Sequence, residues 1–317
     1  MHIRHITLRI IGITLMLVLG ACGSTPSQPQ ESNRSKSSAS PDALVADAMQ
    51  RAGQHLDLPS ALPLIQMAFD KAPDRPDIAW LYAQVCTGVP GCQPESADAR
   101  LRRLDPNNAA VWLGALGRAR NSGDTAAENE ILDRMSRAER FDIYWNSLVS
   151  KAAIVMSANT AAHMGPTTPD LIATSLNYAI GWLSTVALPA FKPLSDACLT
   201  GANSNPATAQ RCRTIATVLT RGDSLIAEGL GLSMQQKLAT PGSAEAEQID
   251  TQIRRSRYQR ETAGQIIATQ ADQEKFSREL IKLMTTLRRE QDVFLTVVRW
   301  GQQPVEPPPG WIDPSVG

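Results

Sequence analysis

The chain has no charge excess: 31 lysines and arginines are matched by 31 aspartates and glutamates over 317 residues. Nucleic-acid binding draws most of its affinity from clustered basic residues, so this balance argues against it. Histidine occurs only four times, and two of these, His2 and His5, lie in the first nine residues. The remaining pair, His55 and His163, is too sparse for a zinc site, which needs four ligands at characteristic spacing. Aromatic residues make up 5% of the chain. No Gly-x-Ser-x-Gly elbow, His-Glu-x-x-His helix, phosphate-binding glycine loop or dinucleotide fingerprint is present, which removes the usual hydrolase, metalloprotease and nucleotide-binding signatures. No stretch alternates apolar and polar residues with period two, so essentially no sheet is expected. No apolar run reaches the 18 or so residues that span a bilayer. What is present is a 43% hydrophobic chain, long enough for one large or two modest domains.

Residues 1–9 carry Arg4 and Arg9 without an acid, and Ile10 to Gly20 form a short apolar run. This is the layout of a secretory signal. The run ends in Leu19-Gly20-Ala21-Cys22, followed by Gly23-Ser24-Thr25-Pro26, and resembles the lipobox of bacterial lipoproteins. The resemblance implies that residues 1–21 are removed, that the Cys22 sulfur carries a diacylglycerol, and that its freed amine takes a third, palmitate-type acyl chain. At about 0.8 kcal/mol per buried methylene, several chains on one cysteine anchor the protein effectively permanently. Gly23 stands where an inner-membrane retention Asp would be, which implies the outer membrane. Removal of residues 1–21 leaves 29 basic against 31 acidic residues, a net −2. Residues 22–40 are rich in Ser, Pro and Gln and bury too little to fold; they form a tether with a reach of roughly 20–25 Å.

Two later segments share their punctuation. Ala68-Phe69-Asp70-Lys71-Ala72-Pro73 leads to Trp80, and Leu101-Arg102-Arg103-Leu104-Asp105-Pro106-Asn107-Asn108 leads to Trp112. The prolines are 33 residues apart and the tryptophans 32, close to the period of about 34 in tetratricopeptide repeats. Ala61, Ile65, Ala68 and Pro73 fit that repeat's order of small, large, small and terminating proline. Small residues let two helices approach while the larger one fills the groove. The resemblance implies three helical hairpins at 42–75, 76–108 and 109–142. The third departs from the pattern at Glu128, Met135 and Arg140.

Beyond Phe141 the punctuation fades while helical periodicity persists. Apolar positions predict one helix through Leu148, Ala152 and Val155, a second from Leu171 to Val186, and a hairpin turned at Arg221-Gly222-Asp223. Residues 243–300 contain no proline and one glycine, which predicts one or two long helices packed on the preceding ones. Gly229-Leu230-Gly231 reads as a helix kink or end. The tail from Pro304 cannot be helical and is expected to run extended, with Trp311 against the body. The expected fold is all-α: a tetratricopeptide-like α-solenoid over 41–142, a C-terminal helical bundle over 143–303, and a proline-rich tail over 304–317.

With Cys22 assigned to lipid, Cys86, Cys92, Cys198 and Cys212 remain, an even number for an oxidising compartment. Of their three pairings, Cys86–Cys92 and Cys198–Cys212 best meet the short Cα separation a disulfide needs, since each closes a helix-loop-helix. Signals for chemistry are weak. His163 in Ala161-Ala162-His163-Met164-Gly165-Pro166 reads as a helix end, where a cation meets orphan carbonyls. Glu95-Ser96 matches the acid dipeptide of lytic transglycosylases but lacks that family's glycine- and aromatic-rich surroundings. Arg254-Arg255-Ser256-Arg257-Tyr258-Gln259-Arg260 reads as a solvated helix face with Glu245, Glu247 and Glu261 as counter-charges. No cofactor or metal is implied. The expectation is a non-catalytic outer-membrane lipoprotein, facing the periplasm and offering a concave helical surface to a protein or peptide of the cell envelope. The alternatives are an envelope hydrolase acting on peptidoglycan and a purely structural lipoprotein.

Overall fold

In a computed structural model of the chain, residues 39–313 are described apart from residues 54, 165–170, 201–204 and 271–272. The lipobox with Cys22, and the tether up to residue 38, lie outside the described residues. Among the described residues all regular structure is helical, and the one backbone bridge joins Asn108 to Arg140.

Six helices form three consecutive hairpins. These are α1 (Pro41–Ala52) with α2 (Leu58–Lys71), α3 (Pro76–Thr87) with α4 (Glu95–Leu104), and α5 (Leu113–Ser122) with α6 (Thr125–Ser136); a 3₁₀ turn, Ala109–Trp112, precedes α5. Local sequence sets their ends. Ser40, Asp57 and Asp124 accept hydrogen bonds from backbone N–H groups in the first turns of α1, α2 and α6. Gly123, left-handed at φ 71°, ends α5 so that Asp124 can start α6. The repeat-pattern residues Ala61, Ile65 and Ala68 are fully buried.

The rest of the chain packs against this array. Helix α7 (Trp145–Met164) pairs with α8 (Leu171–Val186); a short α9 (Lys192–Ser195) runs into a π turn at Asp196–Thr200. Then α10 (Pro206–Thr220) pairs with α11 (Leu225–Leu238), turned at Arg221–Ser224 as expected. Residues 243–300 form three helices where one or two were expected: α12 (Ala244–Gln270), α13 (Glu274–Thr286) and α14 (Glu290–Trp300). The break after Thr286 lies at Leu287, whose backbone is extended at ψ 124°. It carries no proline or glycine signal, because its cause is tertiary.

The first helices of the three hairpins do not face open solvent. α1 contacts α7, α3 contacts α7 and α8, and α5 contacts α9. The Trp80 indole in α3 donates to the Ala187 carbonyl at 2.9 Å, and Tyr178 in α8 donates to the Met49 carbonyl at 2.9 Å. The first helices of the hairpins are thus covered by the chain's own later helices. The physical reason is apolar area: Leu176, Ala179, Trp182 and Leu183 of α8 are buried in one core with Leu44, Met49, Trp80 and Leu81. Burying each large side chain is worth about 1.5–3 kcal/mol, so an open array would leave two apolar faces wet.

Gly229 and Gly231 sit inside α11 rather than at its end. A Cβ on Gly231 would lie 2.7 Å from the Ala216 carbonyl oxygen and the Thr220 nitrogen, so this glycine is where α11 crosses α10. Both disulfides join the locally expected partners. Cys86–Cys92 closes the α3–α4 loop with Cα atoms 5.2 Å apart, and Cys198–Cys212 ties the π turn to α10 at 5.3 Å.

Candidate functional site

The densest polar cluster forms where the third hairpin meets the C-terminal helices. It grows from Asn108, part of the Asp-Pro-Asn-Asn punctuation. Asn108 is fully buried, and its Oδ1 accepts from the Ala110 and Asp142 N–H groups at 3.0 and 2.8 Å. Its Nδ2 donates to the Asp142 carbonyl at 2.8 Å, to Asp105 Oδ2 at 3.1 Å and to the Tyr144 hydroxyl at 3.2 Å. One amide side chain therefore fastens residues 139–144 beside residues 105–110. Tyr144 in turn donates to Asp105 at 2.7 Å, and burial together with that carboxylate pushes its hydroxyl above the ordinary range. Its backbone is left-handed, φ 61°, a conformation that disfavours a bulky residue and persists only where surroundings enforce it.

Three helix N-termini meet beside this knot and are capped by distant residues. Asp223, between α10 and α11, accepts from the N–H groups of Ile143 and Trp145 at 2.9 and 3.0 Å, and so caps α7. Glu290, at the start of α14, accepts from the Leu225 N–H at 2.8 Å, adding to the cap that the Ser224 hydroxyl gives α11 through the Ala227 N–H, and from the Trp145 indole at 3.1 Å. The Glu290 N–H donates to the Asp223 carbonyl at 2.8 Å, which closes the circuit at α14. A carboxylate at a helix N-terminus meets unpaired N–H groups and the positive end of the helix dipole. Burial nevertheless dominates: it pushes the Asp223 carboxyl up to about 8, with neighbouring Asp142 adding to the shift, and raises Glu290 as well. Asp142 is raised by burial against the pull of Arg288 and Arg140, both of which pair with it. The break at Leu287 now has its reason. Asn146 in α7 donates to the Leu287 carbonyl at 2.9 Å, and Arg288 reaches Asp142.

A cleft of about 330 Å³ opens over the cluster, lined among others by Asp142, Asn146, Lys151, Asp223 and Arg288. Asn146 Oδ1 is buried there without a hydrogen-bond partner among the described residues. The cleft has little spare reactivity. Both Asp223 oxygens are engaged by backbone N–H groups and the residue is 1% exposed, out of reach of a substrate. Lys151 binds Asp77 at 2.9 Å. Asp77 also accepts from Arg75 and from Ser147 and clamps α3 to α7. Burial works to raise the Asp77 carboxyl, but Arg75 and Lys151 outweigh it and hold it well below the usual range. These side chains fix helices to one another.

The sequence-derived candidates lie apart from this cluster. Glu95, from the Glu95-Ser96 dipeptide, sits exposed in the first turn of α4, 3.9 Å from Arg118. It lines a second cleft, of about 400 Å³, with Asp98, Arg118, Asn121 and Pro193. Asp98 is raised by burial but engaged by Arg118. His163 belongs to the last turn of α7. Among the described residues no group of three or more His, Cys, Asp and Glu is placed to hold a metal, and no helix is long and apolar enough to cross a membrane.

The arginine cluster of α12 is not neutralised as expected. Its partners come from the C-terminal tail, Arg255 pairing with Glu306 and Arg257 with Asp313, and no ion pair among the described residues joins it to Glu245, Glu247 or Glu261. Trp311 packs edge-on against Tyr258 with ring centroids 5.5 Å apart, as the tail's expected attachment required. No family model, curated protein or solved structure matches this chain.

The sequence reading missed Asn108, Asp142, Tyr144, Asp223 and Glu290 as a group. Asn108 and Asp223 were in view only as punctuation and turn. Nothing in the local sequence around Asp223 indicates that it caps a helix starting 78 residues earlier.

Proposed function

We propose that this protein is a non-catalytic lipoprotein of the bacterial outer membrane, anchored through Cys22 and facing the periplasm. In this reading its tetratricopeptide-like hairpins form the frame of a protein-interaction scaffold or accessory assembly factor in the cell envelope. The observation that carries the address is the pairing of Cys86 with Cys92 and of Cys198 with Cys212. All four cysteines other than the lipobox residue are consumed in local disulfides, a pattern that belongs to oxidising compartments. The three hairpins and the circuit of exchanged caps support a rigid body built to present surfaces. Because α7, α8 and α9 cover the first helices of the hairpins, the partner surface lies elsewhere than on the inner face of the array.

Membrane fractionation tests the anchor: Cys22→Ser moves the protein to the soluble periplasmic fraction, and continued membrane association refutes lipidation. In vivo crosslinking followed by mass spectrometry tests the scaffold; recovery of no reproducible envelope protein refutes it. The second cleft, with Glu95 and Asp98 on its wall, favours one rival reading, a hydrolase acting on peptidoglycan. Zymography separates the two, since clearing that Glu95→Gln abolishes would establish the enzyme.

A further inference from the structure

The C-terminal tail lies on α12 in the manner of a bound peptide. After α14, Gly301 and the left-handed Gln302 (φ 54°) reverse the chain, and residues 305–313 then fold against the Arg254–Gln259 stretch of α12 through a turn in which the Trp311 N–H donates to the Pro308 carbonyl at 3.0 Å and Gly310 is left-handed at φ 81°. The contacts engage both backbone and side chains of the turned segment. Gln259 Nε2 donates to the Val305 carbonyl at 2.8 Å and Arg254 donates to the Trp311 carbonyl at 2.7 Å, so backbone is recognised at two separated points. Arg255 donates to Glu306 at 2.7 Å and Arg257 to Asp313, so an acid is recognised at each end. Between them Trp311 rests on Tyr258, and the Arg254 guanidinium lies 5.8 Å from the indole centroid. Pro307, Pro308 and Pro309 remove backbone donors and fix φ, so the segment loses little entropy on docking.

The attachment is built to be exchangeable. Glu306, Pro308, Pro309 and Gly310 are exposed. The Arg255–Glu306 pair is about half exposed on both sides, 47% and 57%, where an ion pair is worth about 0–1 kcal/mol. Tethering adds to these contacts by giving a short linker an effective concentration on the order of millimolar.

We propose that the face of α12 formed by Arg254, Arg255, Arg257, Tyr258 and Gln259 is a docking face for a turned, proline-rich segment of a partner protein bearing an aromatic ring flanked by acids, and that residues 305–313 occupy it in cis until displaced. This deepens the scaffold reading by naming a surface and its partner's chemistry. It rests on that reading only in taking the partner to be a protein. The test uses purified chain and synthetic peptide, so a failure of lipid anchoring leaves it untouched.

A fluorescein-labelled peptide of residues 303–313 is titrated, by anisotropy, into the intact chain and into a full-length variant whose tail is disabled by Glu306→Lys, Trp311→Ala and Asp313→Lys. The expected result is at least about tenfold tighter binding to the variant, because the tethered competitor is gone. Adding Arg255→Glu and Arg257→Glu to the variant abolishes that binding, and so does a peptide with lysine at both acid positions. Equal binding to intact chain and variant overturns the proposal, as does no binding to either, or undiminished binding of the lysine peptide. Circular dichroism verifies that the variants keep their helix; Trp311→Ala alone is the fallback, judged by the same comparison.

Discussion

Replacing Asn108 by alanine tests whether the buried knot holds the two halves of the chain together. The substitution removes the acceptor of the Ala110 and Asp142 N–H groups and the donor to the Asp142 carbonyl, Asp105 and Tyr144, all at a fully buried position. A buried backbone donor left without a partner costs about 1–3 kcal/mol. Two such donors and one weakened carbonyl give an expected loss of about 3–5 kcal/mol, a large part of the roughly 5–15 kcal/mol by which folded domains are stable. Asn107→Ala is the matched control. It is exposed, its side chain reaches only Glu139 at 3.3 Å, and its carbonyl bonds to the Glu139 and Arg140 N–H groups are untouched; the expected change is within about 0.5 kcal/mol. Asn108→Asp keeps the acceptor oxygen but places a third carboxylate beside Asp105 and Asp142. Its deficit should therefore exceed that of alanine at neutral pH and shrink as the solution is acidified. Urea unfolding followed by circular dichroism, with disulfides intact, measures all three. A loss below about 1 kcal/mol for Asn108→Ala at unchanged denaturant slope would show that the knot is satisfied by water and does not couple the halves.

Stability should depend on pH with a sign set by burial. Asp223, raised to about 8, holds its proton in the folded chain where the unfolded chain has lost it, so stability falls as pH rises from about 4 toward 8. Asp77, held low, acts oppositely: its contribution is present above the unfolded carboxylate value and is lost as pH falls through the folded one. Thermal unfolding should peak in mild acid and decline toward pH 8.5; a midpoint that rises across that range refutes the assignment. Loss of Cys198–Cys212, which closes the longer loop at a separation of 14, should destabilise by about 3 kcal/mol, and loss of Cys86–Cys92, at a separation of 6, by about 2 kcal/mol; paired Cys→Ser variants in denaturant titrations check the order. Gly231→Ala drives a methyl into α10 and should cost about 1–3 kcal/mol. Gly229→Ala, two residues away with nothing within 4 Å of its Cβ, should be neutral or stabilising by up to about 1 kcal/mol; equal effects in melting experiments would refute the crossing at Gly231.

The helical hairpins were legible because their signals are local. Ser40, Asp57 and Asp124 sit beside the helices they cap, Gly123 ends the one before it, and Ala61, Ile65 and Ala68 recur on one face at helical spacing. The disulfides were legible for the same reason, each joining cysteines close in sequence, at separations of 6 and 14. The three-way division of residues 243–300 was not. Leu287 and Arg288 have no breaking tendency of their own, and the chain opens there because Asn146 and Asp142 offer better partners than another helical turn.

The sequence alone therefore determined that the regular structure of the described residues is helical, the pairing of the cysteines and the non-helical tail. Each follows from residues a few positions apart, where backbone geometry fixes which groups can meet. Tertiary structure decided that later helices cover the hairpins and that Asp223 and Glu290 cap helices other than their own. It also decided that the α12 arginines serve the tail rather than solvent. Those outcomes depend on which apolar faces remain to be covered and which orphan N–H groups remain to be satisfied once the hairpins have formed, and both are properties of the assembled body.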